Sequence, residues 1–189
     1  MKTLKSAAIV FALFSLILGL LYPFAMTGIA QLAFPHKASG SMIVRNGKIA
    51  GSELIGQSFT QPVYFQGRPS AGDYNGGGSG ASNYGPAEPL LHGQISERLN
   101  TLRKMNGLLP DQSVPADLVT ASASGLDPHI SESSAMLQVP RIAEARKMMS
   151  AVIRSIVLTH IEKPLFGTPC VNVLKLNLAL DESAARKER

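Results

Sequence analysis

The chain has 189 residues, with 18 Lys and Arg against 13 Asp and Glu for a formal net charge of +5, one cysteine and no tryptophan. A single cysteine excludes an intrachain disulfide, so stability rests on packing. The positive charge is spread without a long basic run and aromatic residues are few, which argues against a dedicated nucleic-acid surface.

Between Lys5 and Lys37 there is no Lys, Arg, Asp or Glu. About 20 apolar helical residues cross ~30 Å of hydrocarbon, so residues 1–35 read as a short tail and a single transmembrane helix spanning about 7–28. A cleaved secretory signal is the alternative: Lys2 and Lys5 make a basic start, and Gly28-Ile29-Ala30 offers small residues for cleavage. Signal apolar regions run about 7–15 residues. Here the run from Ala7 to Tyr22 is already longer and resumes with Phe24, Met26, Ile29, Leu32 and Phe34, which favours a retained helix.

Ala8, Ala12, Ser15 and Gly19 recur at helical spacing and form one stripe of small residues. Because lipid is as apolar as leucine, membrane helices associate by close packing, and small residues permit it. The stripe is expected to dock on a partner helix, with Tyr22-Pro23 marking a kink or the approach to an interface. Lys2 and Lys5 on one flank nearly balance Lys37, Arg45 and Lys48 on the other. A short basic tail before a first helix tends to stay in the cytoplasm, so the remainder is expected to be exported.

Residues 36–189 are the size of one ordinary domain. Met42-Ile43-Val44 and Ile49-Ala50 flank Asn46-Gly47, the signature of a β-hairpin. Leu54–Phe59 and Val63–Gly67 suggest further short strands, and residues 68–89, rich in Gly, Ser, Asn and Pro, a long loop that is mobile unless something holds it. Leu91, Ile95, Leu99 and Leu102 predict a helix stopped by Gly107. Leu118–Ala121 suggests a strand. A helix capped by Ser131 or Ser133 runs through Val139, is kinked or interrupted at Pro140, and continues to Arg146. Ser150–Thr159 predicts another helix, and the Val- and Leu-rich run Val171–Leu180 a terminal strand, followed by a charged, fraying tail. Strands and helices do not alternate strictly, which predicts an α+β domain.

Chemistry-bearing motifs are weak. Gly51–Ser58 has P-loop spacing, but Gln57 stands where the phosphate-neutralising lysine belongs, so the match reads as a coincidental turn. Gly76, Gly78 and Ala81 lack the strand-to-helix setting of a dinucleotide fingerprint. Of the four histidines His129 is singled out with Asp127 two residues before it, and two ligands do not make a zinc site. Cys170, after a proline and before an apolar run, reads as a small hydrophobe. No Gly-x-Ser-x-Gly elbow and no acid–base carboxylate pair stands out, so no catalytic or metal residue is assigned. Ser122–Ser131 gathers small residues before Asp-Pro and a helix start. Such a segment holds an anion at a helix N-terminus, and it equally makes a tight turn and cap; both readings stand.

Five blocks occur in order: Gly51–Phe59, Tyr64–Ser70, Ser122–Ile130, Gln138–Arg146 and Val171–Asp181. Together they resemble the C subunit of bacterial high-affinity potassium-transporting ATPases, the KdpC family, over essentially the whole chain. The resemblance implies an accessory, non-catalytic, single-pass subunit of an inner-membrane, ATP-driven potassium pump. Its implied partners are a channel-like potassium-selecting subunit and a P-type ATPase subunit. The implied role is to stabilise the complex and to act as a catalytic chaperone that raises the ATP affinity of the hydrolysing subunit. ATP would then act through the complex, since an exported domain cannot meet cytosolic nucleotide. An alternative is a membrane-anchored nucleotide-binding regulator that contacts ATP directly, with Gln57, Ser122, Ser124, Gly125 and Asp127 as its first nucleotide-site candidates. A tethered exported hydrolase is the third reading.

Overall fold

The computed structural model describes residues 2–45 and 47–187, and the chain divides into two compact units, Met1–Ser52 and Glu53–Arg189. In the first unit, α1 (Lys2–Leu16), a π-helical turn (Ile17–Leu21) and α2 (Tyr22–Ala33) form one apolar helix of 32 residues, long and apolar enough to cross a membrane. None of its described residues is buried by the rest of the chain.

Pro23 is accommodated by the π turn rather than by a break. Proline has no N–H and its ring crowds the carbonyl four residues back, here that of Gly19. The turn before it widens, so that the Tyr22 N–H donates to the Ile17 carbonyl five residues earlier. One extra residue in a turn rotates the face of α2 by about 100° relative to α1. Ala8, Ala12 and Ser15 share α1 and keep their common stripe, while Gly19 lies inside the π turn.

A short α3 (Pro35–Ala38) leads to the hairpin of β1 (Met42–Arg45) and β2 (Lys48–Ser52), paired antiparallel from Met42–Ser52 to Arg45–Lys48 with an irregularity at Ile43/Val44. Gly47 supplies the positive φ of +75° that the turn requires; Asn46 lies outside the described residues.

The second unit contains α4 (Pro89–Asn106), β3 (His129–Ser131), α5 (Glu132–Arg146), α6 (Ser150–Thr159), β4 (Ile161–Glu162), β5 (Cys170–Asn172) and α7 (Val173–Lys187). The strands form a small antiparallel sheet in the order β3-β5-β4. The expected α+β class is what the structure has. Ile130 and Val171 from the sheet pack with Ala135, Val139 and Ile142 of α5, Ile153 and Val157 of α6, and Leu176 and Leu180 of α7, around Phe65. The α4 helix starts with Pro89 in its first turn and ends at Gly107, whose left-handed conformation lets its N–H reach the Arg103 carbonyl. Ser131 caps α5 by accepting the Ser134 N–H.

Four sequence expectations differ. Of the two readings of Pro140, a kink or an interruption, the interruption fails: Pro140 is exposed and the helix runs unbroken through it to Arg146, continuing as the sequence predicts. Leu118–Ala121 is not a strand, because Ala116–Leu118 is a turn of 3-10 helix. The run Val171–Leu180 is a strand only to Asn172. There the Asn172 side chain accepts the Lys175 N–H at 3.2 Å and starts α7, whose buried Val173, Leu174, Leu176, Asn177 and Leu180 follow helical spacing.

The fourth difference is the largest. Leu54–Phe59 and Val63–Gly67 form no strands, although Phe65 is fully buried. Side chains replace the neighbouring strand. Asn177 accepts the Phe65 N–H at 2.8 Å and donates to its carbonyl at 2.9 Å. Gln138 does the same for Gln66, at 2.9 and 3.2 Å. Arg141 donates to the carbonyls of Pro62 and Tyr64, and Arg146 to that of Val63. Every buried backbone polar group needs a partner, and here the helices provide it.

Candidate functional site

The candidate residues Ser122, Ser124, Gly125 and Asp127 share one irregular turn between α4 and β3, and the structure joins Gln57 to them through its neighbour Gly56. The Gly56 N–H donates to the Leu126 carbonyl at 2.8 Å. The turn grips the Gly-rich segment. Ser122 N–H donates to the Pro69 carbonyl at 3.1 Å, and Gly80 N–H and Ser79 Oγ both donate to the Ser124 carbonyl, at 2.9 and 3.0 Å. Ser70 Oγ donates to the Gly125 carbonyl at 2.6 Å while accepting the Gly72 and Tyr74 N–H groups. The loop that composition marked as mobile unless held is therefore fastened along residues 69–80.

Asp127 closes the clasp electrostatically. Its carboxylate takes the Arg68 guanidinium at 2.9 Å and the His129 backbone N–H at 2.9 Å, and the His129 ring stands 3.7 Å away, an ion-pair distance. Burial works against the Asp127 charge, but His129 and Arg68 outweigh it and hold the carboxyl down at about 2. His129 also faces Glu162 at 3.4 Å, and Glu162 shares Lys175 with Glu53. The Asp127 carboxylate beside it raises the His129 pKa, burial opposes this, and Glu162 adds to the rise.

These shifts set a pH dependence. The share of stability carried by His129 is fully present below about pH 6.5 and is lost as pH rises through its higher folded-state value. The share carried by Asp127 is present above the ordinary 3.8 and is lost as pH falls toward about 2. Melting temperature measured against pH is expected to fall on both sides, and His129→Gln to flatten the decline above about pH 6.5. A His129→Gln profile parallel to the wild type above about pH 6.5 would rule out the histidine as its source.

Two hollows adjoin the clasp. One, of about 210 Å³, is lined by Arg68, Asp117, Asp127, His129, Ser131 and Cys170. Asp127 is the only one of the five nucleotide candidates among its lining residues. It is small for a nucleotide, since drug-sized ligands occupy roughly 300 Å³ or more, and two carboxylates face into it. Burial, then Glu162 and Asp127, push the Cys170 thiol up, away from thiolate chemistry. The other hollow is an open groove of about 500 Å³ against α4, bordered by Gln66, Arg68, Tyr74, Glu97, Arg98 and Leu102. None of the five nucleotide candidates lines it. Arg98 is already engaged there by the Val119 carbonyl at 3.2 Å and by Gln94. Arg68 is common to both hollows and was not singled out from the sequence; the signal available was an arginine among backbone-turn residues in Gly67-Arg68-Pro69-Ser70. Among the described residues no group of three or more His, Cys, Asp and Glu is placed to hold a metal.

The family model of the K+-transporting ATPase c chain, KdpC, matches residues 4–182. The potassium-transporting ATPase KdpC subunit of Photorhabdus laumondii is 47% identical over 191 residues, 98% of each chain. That of Caldanaerobacter subterraneus is 48% identical over 179 residues, 93% of each, and that of Burkholderia mallei 50% identical over 192 residues, 98% of this chain and 99% of the relative.

Proposed function

The chain belongs to the KdpC family of potassium-transporting ATPase c chains, and from that membership we propose that it is an accessory subunit of an ATP-driven potassium uptake pump, without catalysis of its own. It stabilises the complex and acts as a catalytic chaperone, raising the ATP affinity of the hydrolysing subunit. The observation that carries this reading is the match along nearly the whole chain, helix included, to relatives named as subunits of that ATPase. Its partners are the channel-like potassium-selecting subunit and the P-type ATPase subunit. The Lys2–Ala33 helix anchors it once in the bacterial inner membrane, with the short N-terminus in the cytoplasm and the larger unit exported. Ala8, Ala12 and Ser15, with Gly19 in the π turn that follows them, face a partner helix; a Cβ added at Gly19 would meet nothing of this chain within 4 Å, so the space it leaves is free for another helix.

With the larger unit outside the cell, ATP is bound by the hydrolysing subunit and the effect passes through the assembly. The clasp at Gln57, Ser122, Ser124, Gly125 and Asp127 then keeps the contacting surface in shape. Ala12→Leu with Gly19→Leu is expected to reduce recovery of the other subunits in co-purification by about tenfold or more, since bulky side chains prevent close helix approach. In whatever complex remains, the KM for ATP should rise with little change in kcat, the mark of lost binding rather than lost chemistry. Undiminished assembly with an unchanged KM would defeat the proposal. Labelling an engineered cysteine in the 53–189 unit from outside intact cells fixes the orientation, and binding of a labelled ATP analogue by the chain alone would instead favour direct nucleotide contact.

A further inference from the structure

β4 and β5 pair at Ile161–Val171 and Glu162–Cys170 and are joined by Lys163-Pro164-Leu165-Phe166-Gly167-Thr168-Pro169. Leu165 is 91% and Phe166 87% exposed, more than any other large apolar side chain described in the second unit. Two adjacent residues of this kind are not the scattered exposure that any protein surface shows. The hairpin base is fixed by its ladder and by Glu162, which takes Lys175 at 3.3 Å and faces His129 at 3.4 Å. Two prolines restrict the connection, and Gly167 turns it at φ +112°. The pair thus sits at the tip of a connection whose ends are fixed by the ladder and whose backbone two prolines restrict.

We propose that Leu165 and Phe166 form a membrane-interface anchor, inserting among lipid headgroups and upper acyl chains. Lys163 is the one charged side chain in the connection, separated from the apolar pair only by Pro164. An ammonium so placed stays with anionic headgroups while the neighbouring carbons go deeper. The connection otherwise offers little hydrogen-bonding surface that would demand a matching protein socket, as only Lys163 and Thr168 carry polar side chains. One leucine and one phenylalanine are too little to recruit a free protein, given that even a myristoyl chain binds only marginally. They suffice when the bilayer is supplied at high effective concentration by a tether. The inference therefore rests on the reading of Lys2–Ala33 as a membrane span.

The chain has no tryptophan, so Phe166→Trp provides a single fluorescent reporter at an exposed position that does not disturb the core. The full chain is reconstituted into vesicles of phosphatidylethanolamine with a minority of phosphatidylglycerol, and flotation reports insertion of the helix separately. Emission at position 166 is expected to shift to the blue and to be quenched by brominated acyl chains. Leu109→Trp, at a residue 66% exposed in the turn after α4, should keep a water-like, unquenched spectrum. Absence of shift and quenching at 166 in vesicles that float with the protein overturns the anchor while leaving the span intact. Equal quenching at both positions overturns it as well. A blue shift that needs the other pump subunits and resists brominated lipid assigns the tip to a protein socket and likewise overturns it. A chain that does not float overturns the span and the anchor together.

Discussion

Asn177→Leu is expected to destabilise the protein by about 4 kcal/mol, because it leaves the Phe65 N–H and carbonyl without partners in the core, at roughly 1–3 kcal/mol each. Asn177 is 2% exposed and Phe65 fully buried, so no solvent is at hand to take over either hydrogen bond. Leucine has the same branching and the same number of side-chain heavy atoms, which removes a cavity as the explanation. At a few degrees per kcal/mol for a domain of this size, the melting temperature of the full chain in detergent should fall by about 10–15 °C. Asn177→Asp adds a sign test. A carboxylate still accepts the Phe65 N–H but faces the Phe65 carbonyl with no proton to offer. Lowering the pH protonates it and restores a donor, so Asn177→Asp should recover part of its stability in acid. A loss within about 1 kcal/mol for Asn177→Leu would show that residues 62–67 are not held by these side chains.

Asn177 also shows why this part of the fold was illegible in the sequence. Elements whose partners are local were readable: the hairpin around Gly47, α4 with its stop at Gly107, and α5 with its Ser131 cap each carry their signal within a few residues. Val63–Gly67 has the β-branched and aromatic residues of a strand, yet its hydrogen-bond partners are side chains of α5 and α7, distant in sequence. Val171–Leu180 is rich in β-branched and aliphatic residues and satisfies strand composition. Its helical register shows only once Asn172 is read as a cap and Asn177 as a polar residue inside the apolar stripe. At the candidate site, the small residues of the 122–127 turn and the Gly-rich loop at 68–89 were both visible, whereas the hold of one on the other was not. Glycine and serine hydrogen-bonding through backbone atoms leave no pattern in sequence that distinguishes a clasp from a flexible linker.

Three glycines separate the two ways in which a methyl group can destabilise this protein, and Gly125→Ala should be the most severe. A Cβ at Gly125 would lie 2.7 Å from the Gly80 carbonyl oxygen, and the backbone there has φ +67°, a left-handed conformation unfavourable for alanine. Gly56→Ala carries only the first burden: its Cβ would lie 2.5 Å from the Asp127 carbonyl oxygen and 3.1 Å from the Tyr74 ring, with no left-handed strain. Gly107→Ala carries only the second, with φ +61° and nothing within 4 Å. Strain alone costs about 1 kcal/mol and overpacking against backbone about 1–3 kcal/mol, which predicts losses of about 1 for Gly107, about 2–3 for Gly56 and about 3–4 for Gly125. Denaturant midpoints of the three variants test the order, and a Gly107→Ala loss as large as that of Gly125→Ala would refute it. Location gives a second readout. Gly125 and Gly56 hold opposite sides of the turn that fastens residues 69–80, so both substitutions should expose that segment to limited proteolysis under native conditions. Gly107→Ala, at the end of α4 and outside the clasp, should leave it protected even where it lowers overall stability, because release of the loop requires the Ser124 and Gly125 carbonyls to move and not merely a less stable domain.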